Sequence, residues 1–376
     1  MRTFQTILFS LFVFVPTICS AEQNTTATSL QLTLPEKFYA VPGVEMSIYF
    51  DNVVLTKTPE IYGFHVKCDI GAAQTRRWTI TPTAEDVGEH ELSIHVSGPD
   101  GEQVASAATR LRVIPADAGA GRELRLLIVG DSLTHATVYA NELARLLSLP
   151  ANPRWTMLGT HQPKQAAEGV AHEGYGGWTW KRFASQYEPH PDGTYRKRSS
   201  PFVYLADDGK PQIDVKRYLA KECGGQLPDS VIFMLGINDC FGAPPDDPEA
   251  IDVRIDAMFK QTDVVLEAFR EAAPEAEFGL CLTTPPNSRE AAFQANYKGR
   301  FHRWGWKRIQ HRLVQRQLER FAGNDPAMII VPTQLNLDPI DGYPVNNGVH
   351  PNASGYQQIG ATIYACLKAR LFEASR

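Results

Sequence analysis

Cysteine is scarce in this chain, with only 6 in 376 residues. Cys19 falls in the leader described below. Cys68, Cys223, Cys240, Cys281 and Cys366 are then left, an odd number at wide spacings. That excludes a disulfide framework and a zinc pattern. Cys240 and Cys281 fall near expected strand ends and read as buried or singly paired, not catalytic. No metal and no cofactor is implied. Basic charge is not in excess either: 37 Lys and Arg stand against 42 Asp and Glu, for a net charge of −5 and a pI near 6.1. That excludes the electrostatic footprint of a nucleic-acid binder. Met1 to Ala21 has a positive start at Arg2, an apolar core from Ile7 to Val15 and a small-residue site at Cys19-Ser20-Ala21. It predicts a signal peptide that is removed, and hence a secreted or periplasmic protein. An uncleaved anchor is the alternative, but the segment is short for a membrane span. No membrane partner beyond this export signal is expected.

What is present is a globular composition, 43% hydrophobic, enough for a sizeable core. Between residues 29 and 115 short alternating runs recur: Leu30 to Leu34, Met46 to Phe50, Gly63 to Cys68, Arg77 to Ile80, Glu91 to Val96 and Ala108 to Ile114. Turn residues separate them, and Asp100-Gly101 marks a hairpin. The pattern predicts a small β-sandwich. It carries no clustered nucleophile or base, so it reads as an accessory domain. Residues 116–122, Ala and Gly with one Asp and one Arg, predict a linker.

From residue 123 to 376 strand and helix patterns alternate. Strands are expected at Leu124 to Val129, Trp155 to Leu158, Val231 to Leu235, Phe278 to Leu282 and Met328 to Val331. Tyr139, Leu143, Leu146 and Leu147 mark one helix face. Ile251, Ile255, Met258, Phe259 and Phe269 mark a long helix, and Ile359, Ile363, Leu367 and Leu371 one side of the last. This is the pattern of a parallel sheet covered by helices. The chemically suggestive residues follow its strands. Ser132 follows the first strand, Asn238 the third, and His350 the fifth. Gly177 lies in the Gly-rich piece 174–179. In such a fold they converge beyond the carboxyl ends of the strands. Acyl transfer needs a hydroxyl, a base and donors for a developing oxyanion. Ser132, His350, the Gly177 N–H and the Asn238 amide supply that set. The Ser132 N–H, at a helix N-terminus, is a further donor. His135 is a rival base.

These blocks, Gly130-Asp131-Ser132-Leu133, the glycine at 177, Gly236-Ile237-Asn238-Asp239 and Asn347 to Pro351, resemble those of the GDSL/SGNH hydrolase superfamily over roughly residues 124–371. The resemblance implies a flavodoxin-like three-layer fold and ester hydrolysis through an acyl-serine. The Gly-x-Ser-x-Gly elbow of α/β-hydrolases is absent. One block departs from the family. Its acid falls at position 347, where this chain has Asn347. An amide oxygen orients imidazole but lends it no charge, and the equivalent exchange in a serine protease costs about 10⁴ in kcat. A dyad, a carboxylate from Asp341 or Asp338, or a binding-only protein are the readings this leaves.

The expected substrate is a small-molecule or polysaccharide ester, with O-acetylated carbohydrate foremost by analogy. Trp178, Phe202 and Tyr204 are candidate sugar-stacking residues, the last two on the long insertion 183–215. Lipid or aryl ester hydrolysis, acyl transfer and non-catalytic glycan binding are the alternatives. Residues 296–320 are rich in Lys, Arg, His and Trp. They read mainly as a solvated helix face, with 298–304 able to rim a site for anionic polymer. Asn24 and Asn352 head glycosylation sequons. The oligomeric state is open.

Overall fold

A computed structural model describes residues 30–374. The expected leader, its cleavage site and the sequon at Asn24 lie outside the described residues. Seven strands come first: β1 (Lys37–Ala40), β2 (Met46–Tyr49), β3 (Gly63–Lys67), β4 (Ala72–Ala73), β5 (Arg77–Ile80), β6 (Gly88–Ser97) and β7 (Gln103–Val113), with the short helix α1 (Phe50–Val53) after β2. They form a four-stranded sheet in the order β1-β7-β6-β3 and a three-stranded sheet in the order β2-β5-β4. The hairpin at Asp100-Gly101 is present. It is closed by Gly98 N–H to Glu102 O at 2.8 Å and by the Asp100 carboxylate accepting Glu102 N–H at 3.1 Å. The expected strand at Leu30 to Leu34 is not one, having a single bridge from Leu32 to Val54. The strand is instead Lys37–Ala40, just beyond Pro35 and Glu36, because it pairs in parallel with β7.

The remaining strands are β8 (Glu123–Gly130), β9 (Arg154–Leu158), β10 (Glu173–Gly174), the hairpin β11 (Val203–Leu205) and β12 (Pro211–Ile213), β13 (Ser230–Met234), β14 (Glu277–Cys281) and β15 (Met328–Val331). Apart from the hairpin they form one parallel sheet. On one side of β8, β9 pairs with its first half and β10 with its last two residues; β13, β14 and β15 follow on the other side. The chain order therefore reverses between β8 and β13. In an open parallel sheet that reversal opens a crevice above the strand ends.

The main helices are α2 (Ser132–His135), α3 (Val138–Leu147), α4 (Trp180–Ser185), α5 (Val215–Glu222), α6 (Ile237–Cys240), α7 (Pro248–Ala272), α8 (Glu290–Tyr297), α9 (Arg303–Phe321), α10 (Thr333–Asn336) and α11 (Ala353–Glu373). The sequence shows why the long ones start where they do. Asp247 caps α7 by accepting Ala250 N–H at 2.9 Å, with Pro248 in the first turn. Asn352 caps α11 through Gly355 N–H at 3.1 Å. The sequon asparagine is thus a helix cap, and its Nδ2 donates to Asp341 O.

Helix α11 differs from expectation. It is buried on almost every side, including Lys368, not on one stripe. The reason is its neighbours: α3 and β15 lie against it, and so do β1 and β2 of the first half. One hydrophobic core runs through both halves of the chain. Polar contacts cross as well. Ser47 N–H donates to Asn336 at 2.8 Å, and Asn52 Nδ2 donates to the carbonyls of Gln334 and Leu337, each at 2.7 Å.

The basic stretch 296–320 is corrected in detail. On α9, Arg312, Arg316 and Arg320 pair with Asp252, Asp256 and Asp263 of α7. Lys307, expected on a solvated face, is not solvated. It is buried, with Nζ 3.1 Å from Asp51, which also meets Arg303 at 3.2 Å. Burial pushes the Lys307 ammonium pKa down. Burial raises the Asp51 carboxyl, but Lys307 and Arg303 outweigh it and hold that pKa below the usual range.

Candidate active site

Asp131 and Ser132 leave β8 at the chain reversal. Gly130 has no room for a side chain: an added Cβ would stand 1.8 Å from Thr134 Oγ1 and 2.9 Å from Met234 O. Only glycine lets the strand end turn so tightly into α2. Asp131 caps that turn, its carboxylate accepting Leu133 N–H at 3.0 Å. Ser132 is then the first residue of α2, half-buried, and its N–H has no partner among the described residues.

His350 Nε2 lies 2.8 Å from Ser132 Oγ. On the far side of the ring, Nδ1 lies 3.2 Å from Asn347 Oδ1. The same oxygen accepts Val349 N–H at 3.1 Å and His350 N–H at 2.9 Å. The amide therefore fills the orienting place of a third triad member. Burial lowers the His350 pKa, which keeps the ring neutral and able to take a proton. The turn carrying it is braced from behind by Asn287. That fully buried side chain donates to Pro344 O at 2.9 Å and to Asn347 O at 3.0 Å. Nothing in the sequence pattern marks Asn287 for this part.

Gly177 is exposed, with φ at +75°, and its N–H has no partner among the described residues. Asn238 sits at the start of α6, after β13. Its Nδ2 donates to Asp131 Oδ2 at 3.2 Å and to Trp178 O at 3.1 Å. Both amide hydrogens are thus in use, tying the Ser132 turn to the glycine loop. The donors left open are Ser132 N–H and Gly177 N–H. Beneath them, burial raises the Asp131 carboxyl to about 7. Asp239, which accepts Trp180 N–H, is raised to about 7 by burial and then by Asp131.

Other expected site residues fall elsewhere. The Asp341 carboxylate meets Arg76 at 2.8 Å and Arg289 at 3.6 Å, and Asp338 also faces Arg76. The Nδ1 of His350 faces Asn347 instead. The rival base His135 is engaged by His161 at 2.9 Å and by the Tyr195 hydroxyl at 2.5 Å. Trp178 and Phe202 are both 0% exposed, so neither side chain can stack on a sugar. They belong to an aromatic core with Tyr175, Phe183, Tyr218 and Phe269. Tyr204 is half-buried, with Arg217 and Lys221 over its ring. An aromatic residue that lies beside the glycine loop is Tyr195, whose hydroxyl meets His135. Its ring is 3.5 Å from where a Gly176 Cβ would be, and its carbonyl accepts Trp178 Nε1–H at 2.9 Å. Tyr195 lies on the insertion 183–215 but was not among the expected candidates, because the sequence does not show which aromatic there packs beside the glycine loop.

No family model and no curated protein matches this chain. Solved structures do. One is an acetyl esterase mutant with an acetate ion, at 17% identity over 67% of this chain and 99% of that chain, with a TM-score of 0.40. A second is a Clostridium thermocellum family 3 carbohydrate esterase, at 15% over 68% of this chain and 100% of that one, with a TM-score of 0.41. A third, from Corynascus thermopiles (Myceliophthora fergusii), is a carbohydrate esterase family 2 enzyme plus carbohydrate binding domain. It matches at 15% over 89% of this chain and 93% of that chain, with a TM-score of 0.36. At such identities and scores the chemistry is read from the site's own geometry.

Proposed function

We propose that this chain is a serine esterase of the SGNH type. The observation that carries the reading is the 2.8 Å contact between Ser132 Oγ and His350 Nε2, together with the Ser132 and Gly177 N–H groups that have no hydrogen-bond partner among the described residues. His350 takes the serine proton as Oγ attacks the ester carbonyl, then returns it to the leaving alcohol. Ser132 and Gly177 N–H receive the oxyanion. Asn238 joins them by sharing the hydrogen it directs at Trp178 O. Water then releases the acid by the reverse route.

The leaving group we propose is a sugar, and the acyl group acetyl. Tyr195 supports this, since its half-buried ring stands beside the glycine loop and can stack on a pyranose face. We further propose that the two sheets of the first half form a β-sandwich that buttresses the catalytic part, and that the protein is exported. N-terminal sequencing of the mature protein checks the export reading; an intact Met1 would contradict it.

The test of the esterase reading is acetate release from a short-chain aryl acetate by the wild type and by Ser132→Ala. Turnover confined to the wild type supports it, and equal turnover in both removes Ser132 as nucleophile. Asn347 favours a second reading, a glycan-binding protein with no turnover. Binding of acetylated sugars without acetate release, in Asn347→Asp as well as in the wild type, would establish that instead.

A further inference from the structure

Asn347 is followed by Gly348, and this is the one Asn-Gly pair in the sequence. Cyclisation of an asparagine onto the next backbone nitrogen is an intramolecular acyl transfer. It is least hindered when that next residue has no side chain, and it gains from proximity and from donors on the carbonyl oxygen. The turn supplies each part. Asn347 Oδ1 is held by Val349 N–H, His350 N–H and the His350 Nδ1 side. The attacking nitrogen, Gly348 N, has no hydrogen-bond partner among the described residues, and neither has the departing nitrogen, Asn347 Nδ2. The neighbouring Val345 is 72% exposed and Asn346 is exposed, so water reaches the turn.

We propose that Asn347 is a self-modification site, whose deamidation installs the carboxylate that the Ser132–His350 pair lacks. Gly348 N bonds to Asn347 Cγ as the bond from Cγ to Nδ2 breaks. The Gly348 amide proton leaves with that nitrogen as ammonia, and a cyclic imide remains. Water adds to Cγ, the ring nitrogen recovers its proton, and an aspartate stands at position 347. In sum a carboxamide and water become a carboxylate and ammonium, with no other reagent. The donors around Oδ1, which include Asn296 Nδ2 at 3.5 Å, polarise Cγ, which directs water there and away from the main-chain carbonyl, whose attack would give isoaspartate. They also suit the product. A carboxylate is a stronger acceptor than an amide oxygen for N–H donors, and it would lie where Oδ1 now faces His350 Nδ1 at 3.2 Å.

This inference rests on the esterase reading for its consequence but not for its chemistry, so the experiment reads both. The full chain is purified promptly and incubated at mildly alkaline pH. Successive samples are digested, and the peptide spanning 347 is resolved into asparagine, aspartate and isoaspartate forms. Aryl acetate hydrolysis is measured on the same samples. The aspartate form should accumulate, and activity should climb with its fraction toward that of Asn347→Asp, by roughly 10²- to 10⁴-fold. Asn347→Gln should stay constant in both measurements. Ser132→Ala should deamidate at the wild-type rate while remaining inactive. Gly348→Ala is unsuitable as a control, because its Cβ would stand 2.9 Å from Phe293. An amide that persists in the folded chain while the urea-unfolded chain converts would overturn the proposal. So would conversion mainly to isoaspartate with falling activity. Conversion to aspartate with no turnover, in Asn347→Asp as well, would leave the modification standing and sink the esterase reading.

Discussion

At the residue scale the account turns on one ring and its two neighbours. His350 must be neutral to accept the Ser132 proton. Burial lowers its pKa, so the base form persists below the ordinary histidine value of about 6.5. The acid limb of kcat/KM for ester hydrolysis should therefore fall below that value in the amide form of the protein. Asn347→Asp places a carboxylate charge facing Nδ1, favours imidazolium and should move the limb upward while raising kcat. A limb that does not move would mean that position 347 does not face the working base. The pairing of Ser132 with His350, which the fold brings to 2.8 Å, was legible because each belongs to a short block placed after a strand. Other roles were not. Asn238 spends both amide hydrogens on Asp131 and Trp178, a choice set by distances across three loops. Trp178 and Phe202 looked like sugar platforms because composition marks aromatics without marking which way they face.

At the scale of elements, α3, α7 and five strands of the parallel sheet were readable from periodicity, since each buries one face or lies wholly inside; the two-residue strand β10 was too short to leave a pattern. Helix α9 was not readable in this way. Its Lys, Arg, His and Trp residues read as a solvated face, yet Lys307 is 1% exposed. The short helix α1 explains it, because Asp51 meets both Lys307 and Arg303 and accepts the Ser288 hydroxyl. Asp51 is the one carboxylate paired with Lys307 among the described residues, and a buried cation that loses its partner is left uncompensated. Asp51→Ala should therefore lower unfolding stability by about 3–5 kcal/mol, measured as a shift of the urea midpoint at constant slope. Asp51→Ala combined with Lys307→Met should recover much of that loss. A single variant as stable as the wild type would show that the pair contributes little to holding α1 on α9.

At the scale of the whole molecule, the parallel sheet itself followed from strand and helix alternation, whereas its strand order is a matter of the fold. Nor did the dependence of one half on the other follow. A run of small strands followed by a Gly and Ala stretch reads as a free-standing domain and a linker. In the fold, β1 and β2 cover α11, and Ser47 and Asn52 bond to the α10 region. That burial is invisible in local pattern, because a helix covered on both sides looks merely apolar. Residues 116–376 expressed alone should then expose the outer face of α11 and unfold without a cooperative transition, as followed by calorimetry. A sharp transition near that of the full chain would contradict the shared core. The central claim, that Ser132 is a nucleophile activated by His350, is tested most directly by trapping. The full chain is treated with a fluorophosphonate at neutral pH and its peptides are mapped by mass. A single adduct on Ser132, abolished in His350→Ala, is the result predicted. An unlabelled Ser132 in the folded protein, or labelling that persists without His350, would contradict it.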